Sequence, residues 1–109
     1  MKSESVYLEQ ILESIDKIRN FIAGYDYEKF QNDQKTQSAV IMQLALIGEL
    51  AKKVSKETQS KIPLPWKDIA GFRDRAIHDY YQIDLEVVWT TTQTDLQILE
   101  KSLKKFLEK

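Results

Sequence analysis

One histidine, flanked by arginines and tyrosines, is the part of this sequence best suited to chemistry. His78 is the only histidine of the chain, so it is the only side chain that titrates near neutral pH without help. Arg73 lies five residues before it and Tyr80 two residues after it, with Asp74, Arg75, Asp79 and Tyr81 close by. Arginine binds phosphate oxygens in a bidentate manner, and histidine can move a proton at an attacking or leaving oxygen. The set therefore suits a phosphodiester, unless these are simply polar residues on a helix surface.

The charge of the chain is unevenly distributed. The net charge is −1, from 16 basic and 17 acidic residues, which excludes a uniformly basic nucleic-acid clamp. Residues 51–75, however, contain seven basic and three acidic side chains and lead directly to His78. Such a segment would attract a phosphate-bearing ligand, although a solvated lysine face would give the same pattern.

The residue types argue against a metal site. The chain has no cysteine and one histidine, which leaves too few ligands for zinc. Four acidic residues could offer oxygen ligands to Mg²⁺, namely Asp74, Asp79, Asp84 and Glu86. Asp84 is better explained as a helix cap and Asp79 as a solvated position, so we expect neither a metal nor a cofactor.

The apolar residues repeat with helical spacing, and the chain has only three Gly and two Pro. Three apolar stripes predict helices. The first consists of Leu8, Ile11, Ile15, Ile18 and Ile22 and ends at Gly24, and the second consists of Val40, Leu44, Ile47, Ala51 and Val54, in a helix over about 35–55. The third begins at the cap Asp84 and consists of Leu85, Trp89, Thr92, Leu96, Leu99, Leu103 and Phe106. A fourth helix opens near Trp66, after Pro63 and Pro65, and a short extra helix capped by Asp26 is predicted over 25–31. We therefore predict an all-α fold, with four main helices in an up-down bundle and one domain over residues 1–109.

Two features of this bundle bear on chemistry. Glu49 lies near the apolar seam of its helix, where it either stays in water at the edge or faces a cation such as Arg73. On a regular helix, Arg73 and His78 differ by about 140° in direction, whereas Arg73 and Tyr80 nearly coincide. The helix must therefore distort after His78, around residues 80–84, or the site must be shared between two chains.

The segment GFRDRAIHDYYQIDLEVVW resembles the signature of the HEPN superfamily, in particular its HepT-like toxin branch. The pattern is an arginine, a polar residue, a histidine and a tyrosine, here Arg73, Asp74, His78 and Tyr80. IGELAKKVS, PLPWKDI and the trailing Asp-Leu-Glu-x-x-Trp are also similar to that branch, so the likeness covers the chain from about residue 37 onward. The polar position is more often asparagine in the family, and Asp74 adds a negative charge there.

The resemblance implies a metal-independent RNA endonuclease that acts as the toxin of a toxin–antitoxin pair. It implies a homodimer with a composite active site near the two-fold axis, and a nucleotidyltransferase antitoxin that adenylylates Tyr80; whether a higher oligomer forms with the antitoxin stays open. Arg73 would bind the scissile phosphate and His78 would act as acid or base, with Asp74 and Glu49 in support. Independently, one His per chain favours a dimer, because cleavage through the 2′-hydroxyl benefits from both a base and an acid.

Two other functions remain open at this stage. The chain could be a non-catalytic interaction module that binds a nucleotidyltransferase partner, or a plain helical dimerisation module. The longest nearly apolar stretch, residues 39–47, is too short to cross a bilayer, and the N-terminal residues lack the pattern of a signal peptide. We therefore expect a cytoplasmic protein without a membrane partner.

Overall fold

A computed structural model describes residues 4–108, all of whose regular structure is helical. The elements are α1 (Ser5–Phe21), α2 (Tyr27–Gln31), α3 (Gln34–Lys53), α4 (Lys56–Lys61), α5 (Trp66–His78), a 3-10 turn (Tyr80–Gln82), α6 (Leu85–Thr90), a π-helical segment (Thr91–Asp95) and α7 (Leu96–Leu107). Helix α6, the π-helical segment and α7 continue without a break, and we call them the C-terminal rod. With α1, α3 and α5, the rod makes four main helices, which confirms the predicted all-α bundle.

Short polar side chains begin several of these helices. Asp26 accepts a hydrogen bond from the backbone N–H of Lys29 (2.8 Å), and Asp84 accepts one from Glu86 (2.9 Å), so both predicted caps are confirmed. Asp33 caps α3 and also accepts from the Tyr25 hydroxyl at 2.6 Å. These hydrogen bonds, the one from Tyr25 foremost, lower the pKa of Asp33 to about 2. Gly24, with φ of 79°, ends the first helical segment as predicted.

Two local features differ from the sequence prediction. Residues 56–61 form helix α4, capped by Ser55, where a non-helical connection was expected. The third stripe is helical throughout, as predicted, but it widens into a π-helix over residues 91–95. Threonine hydroxyls bond to carbonyl oxygens one turn earlier in this region, Thr91 to Val87 and Thr94 to Thr90, both at 2.9 Å. Such back-bonding disturbs the regular ladder of a helix.

Helix α3 is the centre of the bundle and packs against both α1 and α5. The first two apolar stripes and most of the third form the core, in which Ile15, Ile47 and Leu103 are completely buried. At the edge, Arg19 of α1 donates to both carboxylate oxygens of Glu100 of α7, which fastens these two helices together. Among the described residues, no helix is both long and apolar enough to span a membrane.

The backbones of α3 and α5 come closest at Gly48. A Cβ atom placed on Gly48 would lie 2.7 Å from the backbone nitrogen of Arg73 and 3.0 Å from the carbonyl oxygens of Ile69 and Ala70. Since those neighbours are backbone atoms of a packed helix, they cannot rotate away as a side chain could. Glycine at this position therefore sets the distance between the two helices.

We expect Gly48→Ala to lower the free energy of unfolding by about 1–2 kcal/mol. Overpacking costs about 1–3 kcal/mol, and the better helix propensity of alanine offsets up to about 1 kcal/mol of it. Gly71→Ala is the matched control, because a Cβ there would meet only the flexible end of Arg75, at 3.4 Å. Urea unfolding should show a lower midpoint for Gly48→Ala and an unchanged or higher midpoint for Gly71→Ala. Equal midpoints would contradict the proposed role of Gly48.

Candidate active site

Helices α3 and α5 run antiparallel and share one solvent-facing surface. Two contacts fix their relative position along the axis: Glu49 of α3 meets Arg73 of α5, and Ser38, at the start of α3, meets Tyr80 just after α5. We call this surface the α3–α5 face; it contains Ser38, Met42, Leu46, Glu49, Lys52, Arg73, Asp74, Ile77, Tyr80 and Tyr81. Three predicted site residues, Glu49, Arg73 and Asp74, therefore lie within one ion-pair network.

Arg73 is held by a carboxylate and stays accessible. Its Nε atom lies 2.9 Å from Oε1 of Glu49, while the side chains of Arg73 and Glu49 are 39% and 47% exposed. Glu49 therefore pairs with Arg73 and also remains in contact with water, so each of the two alternatives given for it is partly correct. Within residues 4–108, the Nη2 group of Arg73 has no hydrogen-bond partner, so it can donate to a ligand.

Asp74 lies between two cations. Its Oδ1 is 3.3 Å from Nζ of Lys52 and 3.4 Å from Nη1 of Arg73. The hydrogen bond from Lys52 is the largest of the effects that lower the pKa of Asp74, and the charges of Arg73 and His78 act in the same direction. Asp74 therefore stays ionised and neutralises part of the positive charge of this face.

The end of α5 gives His78 and Tyr80 their positions. The helix ends at His78, whose side chain is exposed, and the chain continues into the 3-10 turn that begins at Tyr80. The backbone thus leaves the regular helix after His78, which was one of the two alternatives, but Arg73 and His78 both lie within α5 and differ by about 140° in direction. The Tyr80 hydroxyl lies 3.0 Å from Oγ of Ser38, and the Tyr81 ring meets the Tyr80 ring edge-on at 5.5 Å between centroids. Tyr81 is 98% exposed, so its ring is free to contact a ligand.

Other residues near His78 in the sequence lie elsewhere. The guanidinium of Arg75 covers the ring of Phe72, 5.3 Å from its centroid, on a different side of α5 from Arg73. Asp79 borders a cavity on that same side. The four acidic residues considered for Mg²⁺ form no metal-holding group within the described residues. Trp66 is buried, in line with its expected place in the core.

Three residues that shape the α3–α5 face or belong to it were missing from the sequence-based site: Gly48, Lys52 and Ser38. Gly48 could have been found from the sequence, because a glycine within a helical stripe indicates close packing. Lys52 could have been found because it lies one helical turn after Glu49. The hydrogen bond between Ser38 and Tyr80 joins residues 42 positions apart and left none.

Large apolar side chains are exposed on the α3–α5 face, which carries Arg73. Met42 (58%), Leu46 (42%) and Ile77 (54%) lie on the α3–α5 face together with Tyr80 (43%) and Tyr81. Of the eight large hydrophobic residues that are exposed in the part of the chain described, five therefore lie on this one surface. Such clustering marks an interaction surface.

Comparisons with known proteins agree with the motif. The model of the family described as "Ribonuclease HepT-like" matches residues 11–108. "Putative RNase TTE0752" of Caldanaerobacter subterraneus is 36% identical over 110 residues, covering all of this chain and 98% of that protein. "Probable ribonuclease HepT" of Thermococcus cleftensis is 37% identical, covering 95% and 96%, and "Putative RNase MJ1216" of Methanocaldococcus jannaschii is 37% identical, covering 94% and 85%.

No solved structure matches the chain significantly. The family match covers nearly the whole chain, including the α3–α5 face, and the relatives are similar to it over almost their full lengths. The arginine and histidine of the sequence motif lie in α5, and the tyrosine begins the 3-10 turn that follows; Arg73 and Tyr80 belong to the α3–α5 face. The chain therefore belongs to the HepT-like ribonuclease family.

Proposed function

We propose that this protein is a metal-independent RNA endonuclease that acts in the cytoplasm as the toxin of a toxin–antitoxin pair. Its composite active site would lie at a homodimer interface formed by the α3–α5 face. A nucleotidyltransferase antitoxin would neutralise it by adenylylating Tyr80. Family membership and the names of the relatives support a ribonuclease, and the arrangement around Arg73 supports the particular site.

The observation that carries this proposal is the ion pair between Glu49 and Arg73. With Nε 2.9 Å from Glu49 and Nη1 3.4 Å from Asp74, two nitrogens of the guanidinium are engaged, and Nη2 would donate to a ligand. Arginine stabilises a phosphate best when its planar guanidinium group is already held in place, because less conformational entropy is then lost on binding. Arg73 can therefore bind the scissile phosphate and stabilise the negative charge of the phosphorane.

Histidine would supply the proton transfers. One imidazole removes the proton from the 2′-hydroxyl, whose oxygen attacks the adjacent phosphorus, and an imidazolium gives a proton to the departing 5′-oxygen. This cleavage leaves a 2′,3′-cyclic phosphate on one product and a 5′-hydroxyl on the other. One chain has only His78, whereas two chains related by a two-fold axis have both an acid and a base.

The apolar part of the α3–α5 face supports such a dimer. Met42, Leu46 and Ile77 expose apolar surface next to the proposed catalytic residues, and a second copy of the same surface would cover it. In a two-fold interface the same patch serves on both sides, so two copies of Arg73 and His78 would come near each other. Tyr81, fully exposed beside them, would be available to stack on an unpaired base.

One observation favours the second candidate function, a non-catalytic module that binds a nucleotidyltransferase. Asp74 and Glu49 balance the charges of Lys52 and Arg73, so the network has little net positive charge with which to attract a phosphate. In that case Tyr80 would serve as a docking and modification site. Cleavage assays separate the two functions.

We expect the unmodified protein to cleave a labelled pool of total RNA in the presence of EDTA. Arg73→Ala and His78→Ala should each lower the rate at least about 100-fold, since the first removes charge stabilisation and the second removes proton transfer. Arg75→Ala is the matched control, because Arg75 points to the other side of α5 and should leave the rate nearly unchanged. The products should carry 5′-hydroxyl ends.

Intact-mass measurement must first show that the purified protein carries no adenylate. If the unmodified wild type leaves RNA intact while it still binds its nucleotidyltransferase partner, the non-catalytic module is the correct function. Cleavage that disappears on chelation would contradict a metal-independent mechanism.

We expect Met42→Asp to separate the dimer and to abolish cleavage together. An isologous interface contains each substitution twice, and a buried unpaired charge costs about 3–5 kcal/mol, so the dissociation constant should rise at least about 100-fold. Gln97→Asp, at an exposed position on α7, adds the same charge away from the face and should leave both properties unchanged. Sedimentation and light scattering report the mass. A monomeric Met42→Asp protein with full activity would rule out the shared site.

We expect adenylylation of Tyr80 to stop cleavage. The added nucleotide brings bulk and negative charge to the place where the substrate phosphate would bind, and it removes the hydroxyl proton next to Ser38. The protein is incubated with its nucleotidyltransferase partner and ATP, and mass and cleavage are then followed in the same samples. Tyr80→Phe should stay unmodified under these conditions, whereas Tyr81→Phe should be modified like the wild type. Modified protein that cleaves as fast as unmodified protein would refute this prediction.

A further inference from the structure

A long groove runs along the side of α5 that lies away from Arg73. Two cavities of about 260 and 560 Å³ lie between α5 and the C-terminal rod, and they share Phe72, Arg75, Val87 and Thr91 as lining residues. They therefore form one continuous feature, which we call the α5–rod groove. On α5 it is lined by Phe72, Arg75 and Asp79, at helical spacing, whereas Arg73 and Ile77 lie on the other side of the helix.

The floor and one wall of this groove are apolar. Ile41, Leu44, Ile69, Leu96 and Leu99 lie beneath it and belong to the core. Val87 and Ile98, on the rod, are 61% and 59% exposed and line it from the side. With the α3–α5 face, this groove accounts for all but one of the large exposed hydrophobic side chains in the described part of the chain.

Four carboxylates border the same groove: Asp68 and Asp79 on the α5 side, and Asp84 and Asp95 on the rod side. Within residues 4–108 none of them forms an ion pair. Asp84 accepts from the backbone of Glu86, and Asp95 accepts from the Thr94 hydroxyl, but these bonds leave the negative charge uncompensated. Among the residues that the structure describes, Arg75 is the single cation lining the groove, and its guanidinium carbon lies 5.3 Å from the centroid of the Phe72 ring.

The combination of shape and charge selects one kind of occupant. An apolar channel between two helices accepts the apolar face of a third helix, and aspartates on both rims pair with cations on the flanks of that helix. RNA is disfavoured, because its phosphates would meet the aspartates. The rod wall from residue 84 to residue 99 is about 22 Å long, which corresponds to about four helical turns.

We propose that the α5–rod groove binds an amphipathic helix of a protein partner, with an apolar stripe flanked by lysine or arginine. This surface is separate from the proposed active site, and the inference does not rest on the proposed function. It implies that a partner could bind this protein while the α3–α5 face is occupied.

The probe is a fluorescently labelled peptide of about 16 residues, with leucine along one helical face and lysine on both flanks. Its comparison peptide carries glutamate in place of every lysine. Fluorescence anisotropy measures the binding of both peptides to the full chain. We expect the lysine peptide to bind at least tenfold more tightly than the glutamate peptide, and its affinity to fall as salt is added.

Two pairs of variants locate the binding site. Val87→Lys puts a cation on the groove wall and should weaken the lysine peptide at least tenfold, whereas Ile77→Lys, at a similarly exposed residue of the α3–α5 face, should not. Asp79→Asn should weaken binding severalfold, whereas Asp74→Asn should not. The aspartate pair keeps the test valid if a lysine variant folds poorly, which thermal unfolding would reveal.

Two results would overturn the proposal. One is equal binding of the lysine and glutamate peptides, or binding that the groove variants leave unchanged. The other is a change in the oligomeric mass of the peptide-free protein in the Val87→Lys variant but not in the Ile77→Lys variant. That result would mean that a second copy of the chain occupies the groove.

Discussion

The missing side chain at Gly48 is the constraint on which the arrangement of the candidate site depends. It allows the backbone of α3 to approach that of α5 so closely that a Cβ atom would lie 2.7 Å from the nitrogen of Arg73. The next residue, Glu49, is thereby brought to Arg73, and Lys52, one turn later, to Asp74. The ion pairs Glu49–Arg73 and Lys52–Asp74 both lie within about one turn of this close approach.

Most of the fold could be predicted from the sequence because helices bury their apolar residues at a regular spacing, and caps such as Asp26 and Asp84 are local. The π-helix at residues 91–95 could not be predicted. Threonine hydroxyls there bond to backbone carbonyl oxygens, and the threonines show no sequence pattern that distinguishes a π-helix from an α-helix. For the site, Arg73, His78 and Tyr80 were singled out from their residue types and spacing, their separate roles came from a family resemblance, and Glu49 was noticed as a charge near the seam. Its partner could be chosen only once the antiparallel register of α3 and α5 was known.

Helix α5 separates two surfaces of different character. On one side, Arg73 and Lys52 lie among exposed apolar residues and are paired with Glu49 and Asp74. On the other side, four aspartates border an apolar groove, a setting for cations. His78 ends α5, and Asp79, the next residue, borders the groove.

The same groove has a dynamic consequence. Because the groove lies between α5 and the rod, α5 has extensive packing on α3 alone, and its separation would leave the contacts of α1 with α3 and with α7 in place. Regions held on one side open at a lower free energy than the whole domain unfolds. Backbone amides of α5 therefore exchange with solvent through local opening, while those in the buried centre of α1 exchange only when the entire chain unfolds. Helix α5, which carries Arg73 and His78, is thus held to the bundle chiefly through one neighbour, α3.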